Sequence, residues 1–102
     1  MIFNELTSGK SVLGQKLEAY KTDAQAERYT YLMAGTHGDE PEGVYILEQL
    51  FDWLKNHETL SKDLVVIPKL NPDGLQKNSR TNANGVDLNR NYPSESWTNV
   101  AR

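Results

Sequence analysis

Three polar clusters carry nearly all the chemistry open to this chain of 102 residues. The first is His37-Gly38-Asp39-Glu40. An imidazole nitrogen and a carboxylate oxygen three residues apart can turn toward one point if the intervening backbone is tight, and Gly38 permits that. Such a pair suits Zn²⁺; the same residues also read as an ordinary polar loop in which Glu40 helps cap a helix. The second cluster, Asn71-Pro72-Asp73-Gly74, is turn chemistry by residue type and needs no functional explanation. The third runs from Arg80 to Pro93 with the wording RTNANGVDLNRNYP. Its arginines offer planar forks for a carboxylate and its asparagines supply adjacent donors. A solvated loop with Asn and Gly at left-handed turns accounts for it equally well.

The elements that must position these clusters are legible in outline. RYTYLMAG, residues 28–35, combines aromatic, β-branched and apolar residues and reads as a buried strand ending at Gly35. After the THGDEPEG loop, a helix is predicted from Pro41 to His57. Pro41 suits its first turn, Glu40 and Glu42 lie at its positive end, and Lys55 and His57 at its negative end. Val44, Leu47, Phe51 and Leu54 form one stripe, which Ile46, Leu50 and Trp53 widen. DLVVIPKL, residues 63–70, is a second buried strand. Strand, helix and strand in this order predict a βαβ unit, hence a parallel pair with a right-handed crossover. Upstream, residues 11–20 suggest a strand pair bent at Gly14, with residues 21–27 as a turn or loop. From Asn71 to Arg102 periodicity is lost, and the reading is an extended loop with a short strand or turn near Gly85–Leu88. About thirty irregular residues are uncommon in a compact domain unless they have a function.

Composition narrows the partners. Eleven basic against 14 acidic residues leave a net charge of −3 with no basic block, which argues against nucleic acid. No apolar run reaches the ~20 residues of a membrane span, and MIFNELTSGK does not read as a secretory signal. A cytoplasmic protein is therefore expected. The absence of cysteine removes disulfides, thiolate nucleophiles and Cys-ligated zinc together. A chain this length buries about 60–70% of its unfolded surface, so one modest core is expected.

Taken in order, the three clusters resemble the zinc carboxypeptidase superfamily, typified by carboxypeptidase A. His37 and Glu40 match its His-x-x-Glu motif, residues 71–74 its Asn-Pro-Asp-Gly turn, and Asp87-Leu88-Asn89-Arg90-Asn91 its Asp-x-Asn-Arg-Asn stretch. The resemblance spans about residues 30 to 93. GTHGDE, NPDG and RTNANGVDLNRNYP are most similar to the bacterial murein-peptide amidases of that superfamily. It implies an α/β fold: the N-terminal part of a mixed, mostly parallel twisted sheet flanked by helices, with residues 1–102 the N-terminal part of one catalytic domain.

The resemblance also implies roles. His37 and Glu40 would be two of three protein ligands to a catalytic Zn²⁺. Arg80 would polarise the scissile carbonyl, and Asn89 and Arg90 would bind the terminal carboxylate of a small peptide. Asp87 would accept the free ring N–H of His37 and fix its tautomer. Asp39 stands where pancreatic-type members carry Arg, which fits the amidase-like branch. The family's second His ligand and its glutamate general base lie downstream of the Asn-Arg pair and are absent here. His57 is no substitute, because it sits at the far end of the helix, about 25 Å from the first turn. The expectation is thus a partial site, inactive by itself, and part of a longer zinc hydrolase whose other half would be its partner. Two alternatives stand beside it: an N-acyl amino acid deacylase of the same superfamily, and a non-catalytic module binding carboxylates through Asn89 and Arg90.

Overall fold

A computed structural model describes residues 1–7, 9–23, 25–57, 62–95 and 97. Four strands form one sheet: β1 (Phe3–Glu5), β2 (Tyr20–Thr22), β3 (Thr30–Met33) and β4 (Leu64–Ile67), in the order β1-β2-β4-β3. β3 and β4 pair in parallel, from Thr30 opposite Leu64 to Met33 opposite Ile67, while the other pairings are antiparallel. The sheet is therefore mixed, as expected, but among the described residues two of its three pairings are antiparallel rather than most being parallel, and the predicted parallel pair lies at one edge. Helix α1 (Glu42–Lys55) connects that pair. Among the described residues no helix is long and apolar enough to cross a membrane.

The α1 stripe forms the core with the sheet. Val44, Leu47, Phe51 and Leu54 are buried, at the spacing that places them on one helical face. Leu47 and Phe51 meet the fully buried Val66, and Phe3, Tyr20, Leu32 and Ala34 complete the cluster. The Phe51 ring takes Phe3 edge-on and Tyr20 at a tilt, each with centroids 4.9 Å apart, within the favourable range for aromatic pairs. Burial of these side chains is the main force holding α1 on the sheet.

Several expectations need correction. β3 is an edge strand among the described residues, and its face away from α1 is open: Tyr31 and Met33 are 59% and 50% exposed. Composition marks a strand, but burial depends on what packs against it. The wider stripe fails for the same reason, since Ile46, Leu50 and Trp53 remain exposed. Pro41 is the N-cap residue rather than part of the helix, and α1 ends at Lys55. Residues 11–20 are no strand pair. A bend between Ser11 and Gln15, with Gly14 at φ +82°, is flanked by the single bridge Lys10–Lys16. Lys21 and Thr22, expected in a loop, belong to β2.

The Asn71–Arg102 segment also holds more than a loop. Helix α2 (Pro72–Lys77) begins on the Asn-Pro-Asp-Gly turn, and a 3-10 helix spans Leu88–Arg90. Residues 96 and 98–102 of that segment lie outside the described residues. Asn71 caps α2 by accepting from Gly74 N at 3.0 Å, with Pro72 at the first helical position. An Asn cap followed by Pro is a helix-start signature. Six residues are too few for helical periodicity to reveal.

Candidate active site

The parallel pair delivers two loops side by side. Beyond the strands, Ala34 N donates to Ile67 O, Leu70 N to Ala34 O and Asn71 N to Gly35 O. The loop before α1 and the turn opening α2 therefore leave the sheet together. Ligand sites of open α/β sheets collect at such carboxyl ends.

The first loop carries His37 and Glu40, and Gly38 lets it lie flat on the α2 turn. A Cβ at Gly38 would fall 2.0 Å from the backbone carbon and oxygen of Gly74. Past α2, the chain reaches Arg80 and makes a tight turn. Asn82 Oδ1 accepts from Asn84 N and Val86 N, both at 2.9 Å, and Gly85 adopts φ +76°. That turn returns Asp87 to the side of Arg80.

Four side chains meet as a result. His37 Nδ1 lies 2.9 Å from Glu40 Oε2, and His37 Nε2 lies 3.0 Å from Asp87 Oδ1. Arg80 Nε donates to Asp87 Oδ2 at 3.0 Å, and Arg80 Nη1 is 3.9 Å from Glu40 Oε2. Asn89 N donates to Asp87 Oδ1 at 3.0 Å, which starts the 3-10 helix. Asp87 is wholly buried at its side chain, whereas Glu40 and Arg80 open to solvent. Burial pushes the Asp87 carboxyl up, but hydrogen bonds from His37, Asn89 N and Arg80, with the Arg80 charge, outweigh it. The net shift is below the ordinary value, and the group is ionised at neutral pH.

An ionised Asp87 accepts the proton of His37 Nε2, so the lone pair of a neutral ring sits on Nδ1, facing the Glu40 oxygen. Two lone pairs at 2.9 Å require a cation between them. A proton on the ring satisfies that need, and so does a metal ion: one nitrogen, one carboxylate and a carboxylate behind the His is a zinc-type donor set. Among the described residues no group of three or more His, Cys, Asp or Glu is arranged to hold a metal. His37 and Glu40 are a pair.

Asn89 and Arg90 lie outside the hydrogen-bonded four. Both are exposed on the 3-10 helix, next to Asp87 in sequence, and Arg90 Nη1 rests 3.4 Å from Asn89 O. His57 stacks on Trp53 at the end of α1, with ring centroids 3.7 Å apart.

Asn71, which reads locally as turn chemistry, also reaches both loops. It is 3% exposed, and its Nδ2 donates to Thr36 O at 3.2 Å and to Thr81 O at 3.1 Å, carbonyls of the residues next to His37 and Arg80. Its place before Pro72 signals a cap; nothing local signals the two distant carbonyls. Asp73 is likewise buried, accepting from Ser11 Oγ at 2.7 Å, Gln15 Nε2 at 2.8 Å and Leu13 N at 3.0 Å.

A His-x-x-Glu loop at the carboxyl end of a parallel strand fits the zinc carboxypeptidase-like superfamily, and the comparisons place the chain there. Within it, the chain belongs to the family described as the succinylglutamate desuccinylase/aspartoacylase catalytic domain, which residues 26–101 match. It is 40% identical over 93 residues to murein peptide amidase A of Escherichia coli K12, covering 87% of this chain and 36% of that protein. The crystal structure of murein-tripeptide amidase from Escherichia coli O157 matches with a TM-score of 0.78 at 36% identity, over 93% of this chain and 39% of that one. A metallo-carboxypeptidase from Pseudomonas aeruginosa, solved with (2-guanidinoethylmercapto)succinic acid, matches with a TM-score of 0.66 at 30% identity, over 86% and 26%. The chain thus spans little more than a third of the length of the murein peptide amidases it matches. Its superfamily implies a metal ion.

Proposed function

We propose that this chain supplies part of the active site of a zinc-dependent hydrolase that cleaves a C-terminal amide bond of a small peptide, of the murein-peptide class. The observation that carries the reading is the continuous link from Glu40 through His37 and Asp87 to Arg80, four residues from two loops held within hydrogen-bond or ion-pair reach. His37 Nδ1 and Glu40 would hold zinc. A catalytic zinc takes three protein ligands, so the third, with a general base, would come from the portion of the relatives' length that this chain does not span.

Zinc, when bound, supplies Lewis acidity toward the scissile carbonyl. The chain's own residues do the rest of what it contributes. Asp87 holds the His37 proton on Nε2 and keeps Nδ1 free to bind. The same carboxylate engages only Nε of Arg80, leaving that guanidinium's terminal nitrogens on the Glu40 side. From there they would donate to the oxygen on which negative charge develops. Asn89 and Arg90, exposed beside Asp87, would anchor the substrate's terminal carboxylate by charge-assisted hydrogen bonds. Such a substrate is a small peptide with a free C-terminus.

The family match over residues 26–101 favours a second reading, hydrolysis of an N-acyl amino acid by the same groups. Its substrate also offers a carboxylate next to a scissile amide, so the residues described serve either. Rates on a γ-D-glutamyl-diaminopimelate peptide and on N-acyl amino acids, measured side by side with the intact protein carrying these residues, separate the two. Faster peptide turnover is expected, and preference for the acyl amino acids would transfer the assignment to the deacylases. Loss of zinc binding in His37→Ala is expected under both, and unchanged binding would remove the metal role.

A further inference from the structure

We infer that Asn71 is a positioning residue: its single side-chain amide sets the span between the loop bearing His37 and Glu40 and the loop bearing Arg80. The carboxamide makes three bonds in three directions. Oδ1 accepts from Gly74 N, which ends its work as a helix cap, while the two Nδ2 protons go to Thr36 O and Thr81 O. Each carbonyl belongs to the residue next to a site residue, so the amide bridges the main chains on which His37 and Arg80 ride.

The packing leaves that bridge no slack. A Cβ at Gly74 would lie 2.3 Å from Asn71 Nδ2 and 2.8 Å from Thr81 O, and one at Gly38 would lie 2.0 Å from Gly74 backbone. The His37 loop, the α2 turn and the Arg80 loop therefore stack backbone on backbone, with the Asn71 amide in the middle. Asp87 also joins His37 to Arg80, but through side-chain ends, which can follow a displaced loop by rotating. Asn71 acts one level lower, on the backbone. A misplacement of about 1 Å is enough to cost on the order of 10²-fold in rate.

The inference rests on the zinc-hydrolase reading for its kinetic test and not for its structural one. Two variants of the intact protein isolate the bridge from the cap. Asn71→Asp keeps Oδ1 for Gly74 N and replaces the donor with an oxygen facing two carbonyls. Asn71→Ser keeps a neutral capping oxygen and removes both Nδ2 protons, leaving one short hydroxyl in place of the bridging amide. With zinc bound, both variants are expected to lower kcat per loaded site by about 10–100-fold with a much smaller change in KM. In the structural arm, hydrogen exchange is expected to speed up together at amides of residues 37–40 and 80–82, while the β4 amides keep their protection. Exchange confined to Gly74 and Leu75 would overturn the inference, as would an unchanged kcat per loaded site alongside wild-type zinc content. If the wild type neither binds zinc nor hydrolyses amides, the proposed function fails, and joint or separate loosening of the two loops still decides the role of Asn71.

Discussion

Asp73 and Asp87 are the two buried carboxylates among the described residues, and they contrast by the donors they collect. Both are nearly inaccessible, each receives three or more hydrogen bonds, and both titrate below the ordinary carboxyl range. Asp73 takes its bonds from Ser11 Oγ, Leu13 N and Gln15 Nε2, all neutral groups of one upstream bend. Asp87 takes its bonds from an imidazole, a guanidinium and the backbone of Asn89. Burial and saturation are thus common to a carboxylate that staples the chain and one that lies in the proposed site. The donors tell them apart, because an imidazole and a guanidinium that remain partly open to solvent have further valences to offer a ligand.

Asp87→Asn should break the comparison most strongly. An amide can still accept from His37 but no longer balances Arg80, so zinc affinity is expected to fall about 10–100-fold, with a further loss of kcat from the freed guanidinium. Competition with a chelator and turnover at saturating zinc read the two separately. Gly38→Ala acts where the two regions touch, through the Gly74 backbone next to Asp73. Because backbone rather than a flexible side chain blocks the new methyl group, destabilisation of about 3 kcal/mol is expected, readable as a shift in the urea midpoint.

Asp73→Asn should do the reverse of Asp87→Asn. A melting temperature lower by about 5 °C is expected, with kcat per zinc-loaded site unchanged; a fall in kcat would erase the distinction drawn here. The smallest effect is the pH dependence. Burial alone would raise the Asp73 carboxyl, but the Ser11, Leu13 and Gln15 bonds and the Lys77 charge more than offset that, so its native value lies below the unfolded one. Its stabilisation is then fully present above the unfolded value of about 3.9 and is lost as pH falls through the native value. Urea titrations from pH 5 downward should show stability falling with acid in the wild type, and less steeply in Asp73→Asn.

Legibility differed by element for physical reasons. The Val44, Leu47, Phe51 and Leu54 stripe predicted both α1 and its buried face, since 3.6-residue periodicity is a local signal of which side packs. β4 was equally plain as a β-branched run, and strand, helix, strand order predicted the parallel pair. β3 was legible as a strand but not as an edge strand with Tyr31 exposed, because exposure belongs to the neighbours and not to the segment. Helix α2 was missed: six residues form a helix only when capped and packed, since an isolated turn does not repay its nucleation. In the candidate site, the nearness of His37 and Glu40 follows from their three-residue spacing. The ordered motifs point to Asp87 and Arg80 through family resemblance, whereas Asn71 reads locally as turn chemistry alone.

By itself, the amino-acid order determined the residue types available for catalysis, the periodic face of α1, the strand character of β3 and β4, and the kinship carried by three short motifs. Tertiary structure alone decided that Arg80 shares the Asp87 carboxylate with His37, and that one asparagine amide ties two distant carbonyls together. The physical reason is range. Periodicity and turn preference act over a few residues, whereas a hydrogen bond between atoms 35 or 50 positions apart exists only after the sheet has brought two loops to the same end of parallel strands.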